Sequence, residues 1–197
     1  MPKYVAFLRA INVGGHTVKM EHLRRLFEAQ GFSGVETFIA SGNVIFDSAS
    51  ANAKALEKKI GGSLREALGY EVATFLRSTG ELLKVARHKP FAAAELEREG
   101  NVLYVAFLAE RPGEEATRKL LSNANEVDDF HVSGREVYWL RRTKVGESKF
   151  SGALLERTLG AQATIRNSTT VGKLAAKYSR AKGAAIDVTG EGRRGGR

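Results

Sequence analysis

The residues able to do chemistry in this chain sit in three polar turns. The first, Arg9-Ala10-Ile11-Asn12-Val13-Gly14-Gly15-His16, leaves a strand and feeds a helix. Glycines let the backbone turn sharply and expose N–H groups, and a helix N-terminus attracts anions. Arg9 is placed on the strand face of Phe7 and Ile11, where a cation needs a carboxylate, carbonyls or an anionic ligand. Lys19 adds charge nearby. The second turn, Ser41-Gly42-Asn43, also has the composition of a plain hairpin connection. The third, Thr164-Ile165-Arg166-Asn167-Ser168-Thr169-Thr170, repeats the strand-to-helix setting. Its hydroxyls suit a helix start, and Arg166 offers a planar fork for carboxylate or phosphate.

Familiar catalytic signatures are absent. The sequence has no G-x-x-x-x-G-K-[ST], no G-x-G-x-x-G and no G-x-S-x-G. His16, His22, His88 and His131 form no H-E-x-x-H and no i, i+4 pair, so no metal site is expected. There is no Cys, which excludes disulfides, thiolate metal sites and a Cys nucleophile. The 197 residues are 43% hydrophobic and 27% charged, an ordinary globular balance. The longest apolar run, Val102 to Ala109, is too short to span a bilayer, and the first twenty residues lack a secretory stretch. A cytoplasmic protein without membrane partners is expected. The net charge of +9 favours anionic partners and is spread over both halves. Its densest run, Arg141, Arg142, Lys144 and Lys149, reads first as a solvated face.

The elements that hold these turns read as one unit written twice. Lys3 to Ile11 is a strand. Met20, Leu23, Leu26 and Phe27 form one stripe of a helix that ends near Gly31. Val35 to Ala40 and Val44 to Asp47 are strands around the second turn. Ala53 to Leu68 is a helix closed by Gly69, and Glu71 to Arg77 is a final strand. This β-α-β-β-α-β order is the ferredoxin-like motif. Tyr104-Val105-Ala106-Phe107-Leu108 then repeats Tyr4-Val5-Ala6-Phe7-Leu8 letter for letter. A helix at Glu114 to Leu121 follows, then strands at Asp129 to Val132 and Glu136 to Leu140, a helix from Ser148 to Leu159 and a strand from Ala163 to Arg166. Both units exit through Arg and Ser/Thr into a further helix. The fold class is therefore α+β: two tandem ferredoxin-like subdomains, each with an additional helix. They cover residues 1–90 and 91–182, joined through His88 to Gly100, with a disordered tail at 183–197. Both faces of the first strand of each unit are apolar. The face away from the unit's own helices must be covered by the other unit or by the exit helices.

The opening Arg9 with Ile11-Asn12-Val13-Gly14-Gly15, Met20, Leu23, Thr37, Ser41-Gly42-Asn43-Val44 and Phe46 resembles domain of unknown function family 1697. Ser148-Lys149-Phe150, Thr164-Ile165-Arg166-Asn167, Thr170-Val171 and Lys173-Leu174 resemble its later motifs. Ala10 stands where the family often has Gly, and Ser168 where Trp is expected. The resemblance implies paired ferredoxin-like subdomains and a bacterial cytosolic origin. It implies no established activity.

The residues point first to binding of a small anionic or phosphate-bearing ligand, such as a nucleotide, at the glycine loop. Its contacts would be Arg9, Asn12, Gly14, Gly15, Lys19, Ser41, Asn43, Arg166 and Asn167, with the first and third turns converging between the units. No cofactor is named by the sequence. An enzyme would use Arg9 and Arg166 to stabilise negative charge, with His16 or a carboxylate moving protons. RNA ranks lower, because no RNP-like sequence accompanies Phe7, Tyr104 and Phe107. An interaction scaffold would use the turns structurally.

Overall fold

β1 (Lys3–Leu8) is apolar on both faces, and the fold follows from burying both. The structure, a computed structural model, describes residues 1–179. The expected tail at 183–197 lies outside the described residues. The first sheet contains β1, β2 (Ser33–Thr37), β3 (Asn43–Asp47) and β4 (Thr74–Ser78), in the antiparallel order β2-β3-β1-β4. The second contains β5 (Asn101–Leu108), β6 (Asp128–Ser133), β7 (Glu136–Arg142) and β8 (Ala163–Asn167), in the order β6-β7-β5-β8. The two orders are the same.

Three apolar layers result. Tyr4, Ala6 and Leu8 pack with α1 (Met20–Glu28) and α2 (Ala53–Leu68) through Leu23, Phe27, Leu56, Ile60 and Leu64. Ala106 and Leu108 pack with α5 (Glu114–Leu121) and α6 (Gly152–Leu159) through Leu120, Leu155 and Leu159. Between them, Val5 and Phe7 meet Val105 and Phe107. The exit helices α3 (Thr79–Arg87) and α7 (Ser168–Ser179) complete this middle layer with Leu82, Val85, Val171 and Leu174. The apolar second face of each sheet is thus covered by the other sheet and by both exit helices. A further short helix, α4 (Ala93–Leu96), lies within the connector between the units.

Two expectations need correction. β1 ends at Leu8, not Ile11, and Ile11 joins the Leu8 layer rather than the Phe7 face. The cause is Ala10, whose φ of 64° breaks the strand alternation. The second turn is also longer than a tight hairpin, because β2 stops at Thr37 and the connection runs through Ile39 and Gly42, both at positive φ. Gly42 is required there: a Cβ at this position would lie 2.9 Å from that of Ile11.

α7 reaches back to the first sheet, where Lys177 and the Tyr178 hydroxyl both donate to Glu36 on β2. The Lys177 hydrogen bond holds the Glu36 carboxyl below its ordinary range, against an opposing effect of burial. A depressed carboxylate contributes stability above its unfolded pKa and loses it as pH falls through the folded value. Both partners are half-exposed, so the tie is worth only about 0.2–1 kcal/mol at neutral pH. Glu36→Gln should therefore lower the urea midpoint slightly at pH 7. The two proteins should converge once acid has protonated the carboxylate.

Candidate functional site

The first turn is shaped by backbone that L-residues rarely adopt. Ala10 and Asn12 have φ of 64° and 55°. Asn12 tolerates this because its side chain bonds locally. Its Nδ2 donates to the Ala40 carbonyl at 2.9 Å, and its Oδ1 accepts from the Val18 N–H at 2.7 Å. The first and second turns are thereby stapled together. Ala10 has no such compensation. A left-handed L-residue costs about 1–2 kcal/mol, and glycine gives back about 0.5–1 through unfolded-state freedom. Ala10→Gly should thus raise the thermal midpoint by about 1–2 °C. A fall in the midpoint would contradict this strain.

Arg9 leaves the first turn toward the second unit. Its Nε donates to Glu156 Oε1 at 2.8 Å and its Nη2 to Oε2 at 2.9 Å. Glu156 stands on α6 and also accepts the Ala163 N–H at 2.8 Å. The hydrogen bond to Glu156 raises the guanidinium above its ordinary pKa. Arg9 is therefore already paired: of the partners open to a cation there, the structure supplies a carboxylate of the chain itself. Its Nη1 donates to no group among the described residues.

Arg166 is different. It is 9% exposed and spends all five donors on neutral acceptors. Nε donates to Asn43 Oδ1 at 2.7 Å. Nη1 donates to Thr164 Oγ1 at 2.8 Å and the Ile165 carbonyl at 2.9 Å, and Nη2 to the carbonyls of Leu8 at 2.9 Å and Gly42 at 3.4 Å. No carboxylate among the described residues bonds to it. Burial alone pushes it down to about 10, so it stays charged at neutral pH.

Arg77 supplies the comparison. It faces Val5 on β1 as Arg166 faces Val105 on β5. It donates to the Leu108 carbonyl at 2.8 Å, the Arg135 carbonyl at 3.3 Å and Glu136 Oε1 at 2.6 Å. Each unit thus sends one buried arginine onto the end of the other unit's first strand. Glu136 neutralises one of them, and the residue in that role for Arg166 is Asn43, which is uncharged.

The first and third turns do converge. Arg9, Asn12, Ser41, Glu156 and Arg166 line one open cleft of about 590 Å³ between the units. Two guanidinium groups and one carboxylate leave it one positive charge in excess. The other expected contacts lie elsewhere. Gly14 and Gly15 occupy an exposed part of the loop away from the cleft wall, before the start of α1. Lys19 is the exposed N-cap of α1, and its side chain makes no capping bond. Asn43 is fully buried behind the cleft, where it positions Arg166 and bonds Ser41 Oγ at 2.9 Å. Asn167 closes the opposite end of β8 and accepts the Thr169 N–H at 2.8 Å. His16 stacks on Tyr70 with ring centroids 3.8 Å apart. Half of the basic run is paired: Arg142 with Glu95 and Asp129, and Lys144 with Glu99. Glu156 was not among the expected contacts. Arg77 was legible, since Arg77-Ser78-Thr79 matches the exit at Arg166. Among the described residues no group of three or more His, Asp or Glu could hold a metal ion. No helix there is long and apolar enough to cross a membrane.

A family model described as a protein of unknown function, DUF1697, matches residues 1–138. The motifs after residue 138 lie beyond that match. Among solved structures, conserved bacterial protein SP0830 from Streptococcus pneumoniae is similar with a TM-score of 0.64 and 20% identity. The similarity covers 91% of this chain and 99% of that one, and at that identity it speaks for the fold alone. No curated protein matches the chain.

Proposed function

This chain belongs to the DUF1697 family of proteins of unknown function, and on that premise we propose that it binds a small anionic or phosphate-bearing ligand in the cleft between its two units. The observation that carries this reading is the charge of Arg166, buried against the cleft without a carboxylate. With every donor already used, Arg166 acts as a fixed positive charge and not as a direct contact. Because Arg166 is itself buried, its charge is screened less than that of a surface cation. Direct contacts fall to the free Nη1 of Arg9 and the hydroxyl of Ser41, both on the cleft wall. Asn12 and Asn43 hold that wall in place. We read the units as ferredoxin-like, residues 1–90 and 91–182, arisen by duplication in a bacterial cytoplasmic protein.

A single surplus charge suits a small ligand better than a nucleic-acid backbone. The test is calorimetric titration with inorganic phosphate and with mononucleotides over a range of salt. Saturable binding with a log–log salt slope of about −1 or shallower supports the small-anion site, whereas a steeper slope indicates extended phosphate binding. Arg9→Gln should weaken binding about tenfold or more, a loss of about 1.4 kcal/mol. The full internal use of Arg166's donors favours a second reading, in which both arginines only latch the units together. No saturable binding of any anion would establish that reading.

A further inference from the structure

The cleft has a counterpart on the other side of the seam between the units. This is an open cavity of about 530 Å³ where α2 and β4 meet the loop Ala109–Gly113 that follows β5. Its half-buried carboxylate is Glu57, and the exposed Glu110 and Arg111 of the loop also line it. Glu57 is the fifth residue after the α2 N-cap Asn52, as Glu156 is the fifth after the α6 N-cap Ser151. Each carboxylate accepts one backbone N–H from the strand that follows its helix. Glu57 Oε1 takes that of Leu76 at 2.7 Å, and Glu156 Oε1 takes that of Ala163 at 2.8 Å. The difference lies in what faces them. β1 and β5 end at Leu8 and Leu108, so Ala109 stands where Arg9 stands in the first cleft.

Glu57 consequently lacks the guanidinium that Glu156 has. Among the described residues only the Leu76 N–H bonds to it. Three cations around it are committed elsewhere, Lys54 to Glu110, Arg135 to Glu81 and Arg77 to Glu136, and Arg111, exposed on the Ala109–Gly113 loop, lines the cavity without bonding to Glu57. Counted over its lining as for the first cleft, Glu57, Glu110 and Arg111 leave this cavity one negative charge in excess, opposite in sign. Burial raises the Glu57 carboxyl above its ordinary range, as expected of an acid without a counterion.

We propose that this second cleft receives a guanidinium group in trans, with Glu57 taking the place that Glu156 takes toward Arg9. A guanidinium matches a carboxylate through two parallel N–H bonds, so the group that Ala109 fails to supply has a defined shape. It can come from a small guanidino compound or from an arginine side chain of a partner.

The test is an amide NMR titration of the full chain with methylguanidinium, and separately with acetyl-Gly-Arg-Gly-amide. Saturable shifts confined to Leu76 and the Ala109–Gly113 loop are expected. Tighter binding of methylguanidinium indicates a small ligand, and tighter binding of the peptide indicates a partner's arginine. Glu57→Gln, which keeps the acceptor for Leu76, should weaken either probe about tenfold. Ala109→Arg should abolish binding and raise the thermal midpoint by supplying the missing partner internally. Unsaturable shifts, or equal affinity in Glu57→Gln, would overturn the proposal even if Ala109→Arg does not fold. Phosphate reports on the first cleft and methylguanidinium on this one, so the two readings fail separately.

Discussion

Arg77→Ala is expected to cost about 3–5 kcal/mol of unfolding free energy, the usual result of removing one partner of a buried ion pair. The side chain is 1% exposed and crosses from the first unit to the second. Its loss leaves Glu136 buried without a cation and removes a donor from the carbonyls of Leu76, Leu108 and Arg135. The cost comes from these orphaned groups more than from the pair itself. Urea unfolding should show a lower midpoint with an unchanged slope. A double variant, Arg77→Met with Glu136→Gln, should recover much of the loss, because it removes both charges together. A loss below about 1 kcal/mol for Arg77→Ala would mean that the latch is not structural.

Phe107→Ala should cost a similar amount, about 3–5 kcal/mol. Phe107 and Phe7 stack in the middle layer with centroids 3.9 Å apart and planes at 9°. Both are fully buried where the two sheets face each other across the middle layer. Removing one ring leaves a cavity that two rigid sheets collapse around poorly. Phe7→Ala and Phe107→Ala together should cost less than the two separate losses added, by about 0.5–1.5 kcal/mol, the coupling of an aromatic pair. Strict additivity in a denaturation cycle would show that the rings do not interact.

The middle layer was legible in the sequence because a strand with apolar residues on both faces has nowhere to expose either. The repeat of Tyr4–Leu8 at Tyr104–Leu108 placed two such strands in equivalent positions. The convergence of the first and third turns followed from the same repeat. The end of β1 was not legible. Ile11 continues the apolar pattern, and only the positive φ at Ala10 shows that the chain has already turned. The partner of Arg9 was not legible either, since Glu156 lies 147 positions away on a helix face with no local signal. Gly14 and Gly15 misled for a related reason. Their composition announces a turn, but residues His16 to Lys19 separate them from α1, so no helix terminus forms around them. The difference between Glu136 and Asn43 is one residue type at matched places in a β-hairpin. It means nothing until Arg77 and Arg166 are seen to reach across the seam.

That difference is also where the account is most exposed to test. Asn43→Asp keeps the Oδ1 that accepts from Arg166 Nε and gives Arg166 the carboxylate that Arg77 already has. It forfeits the bonds from Nδ2 to the Phe38 carbonyl and Ser41, so the result to read is ligand affinity at matched folded fraction. Calorimetric titration of inorganic phosphate into the wild-type protein and Asn43→Asp measures whether the surplus charge holds the anion. The prediction is saturable binding by the wild type and a loss of about tenfold or more in the variant. Equal affinities in the two folded proteins would show that the unpaired charge of Arg166 does not govern the cleft.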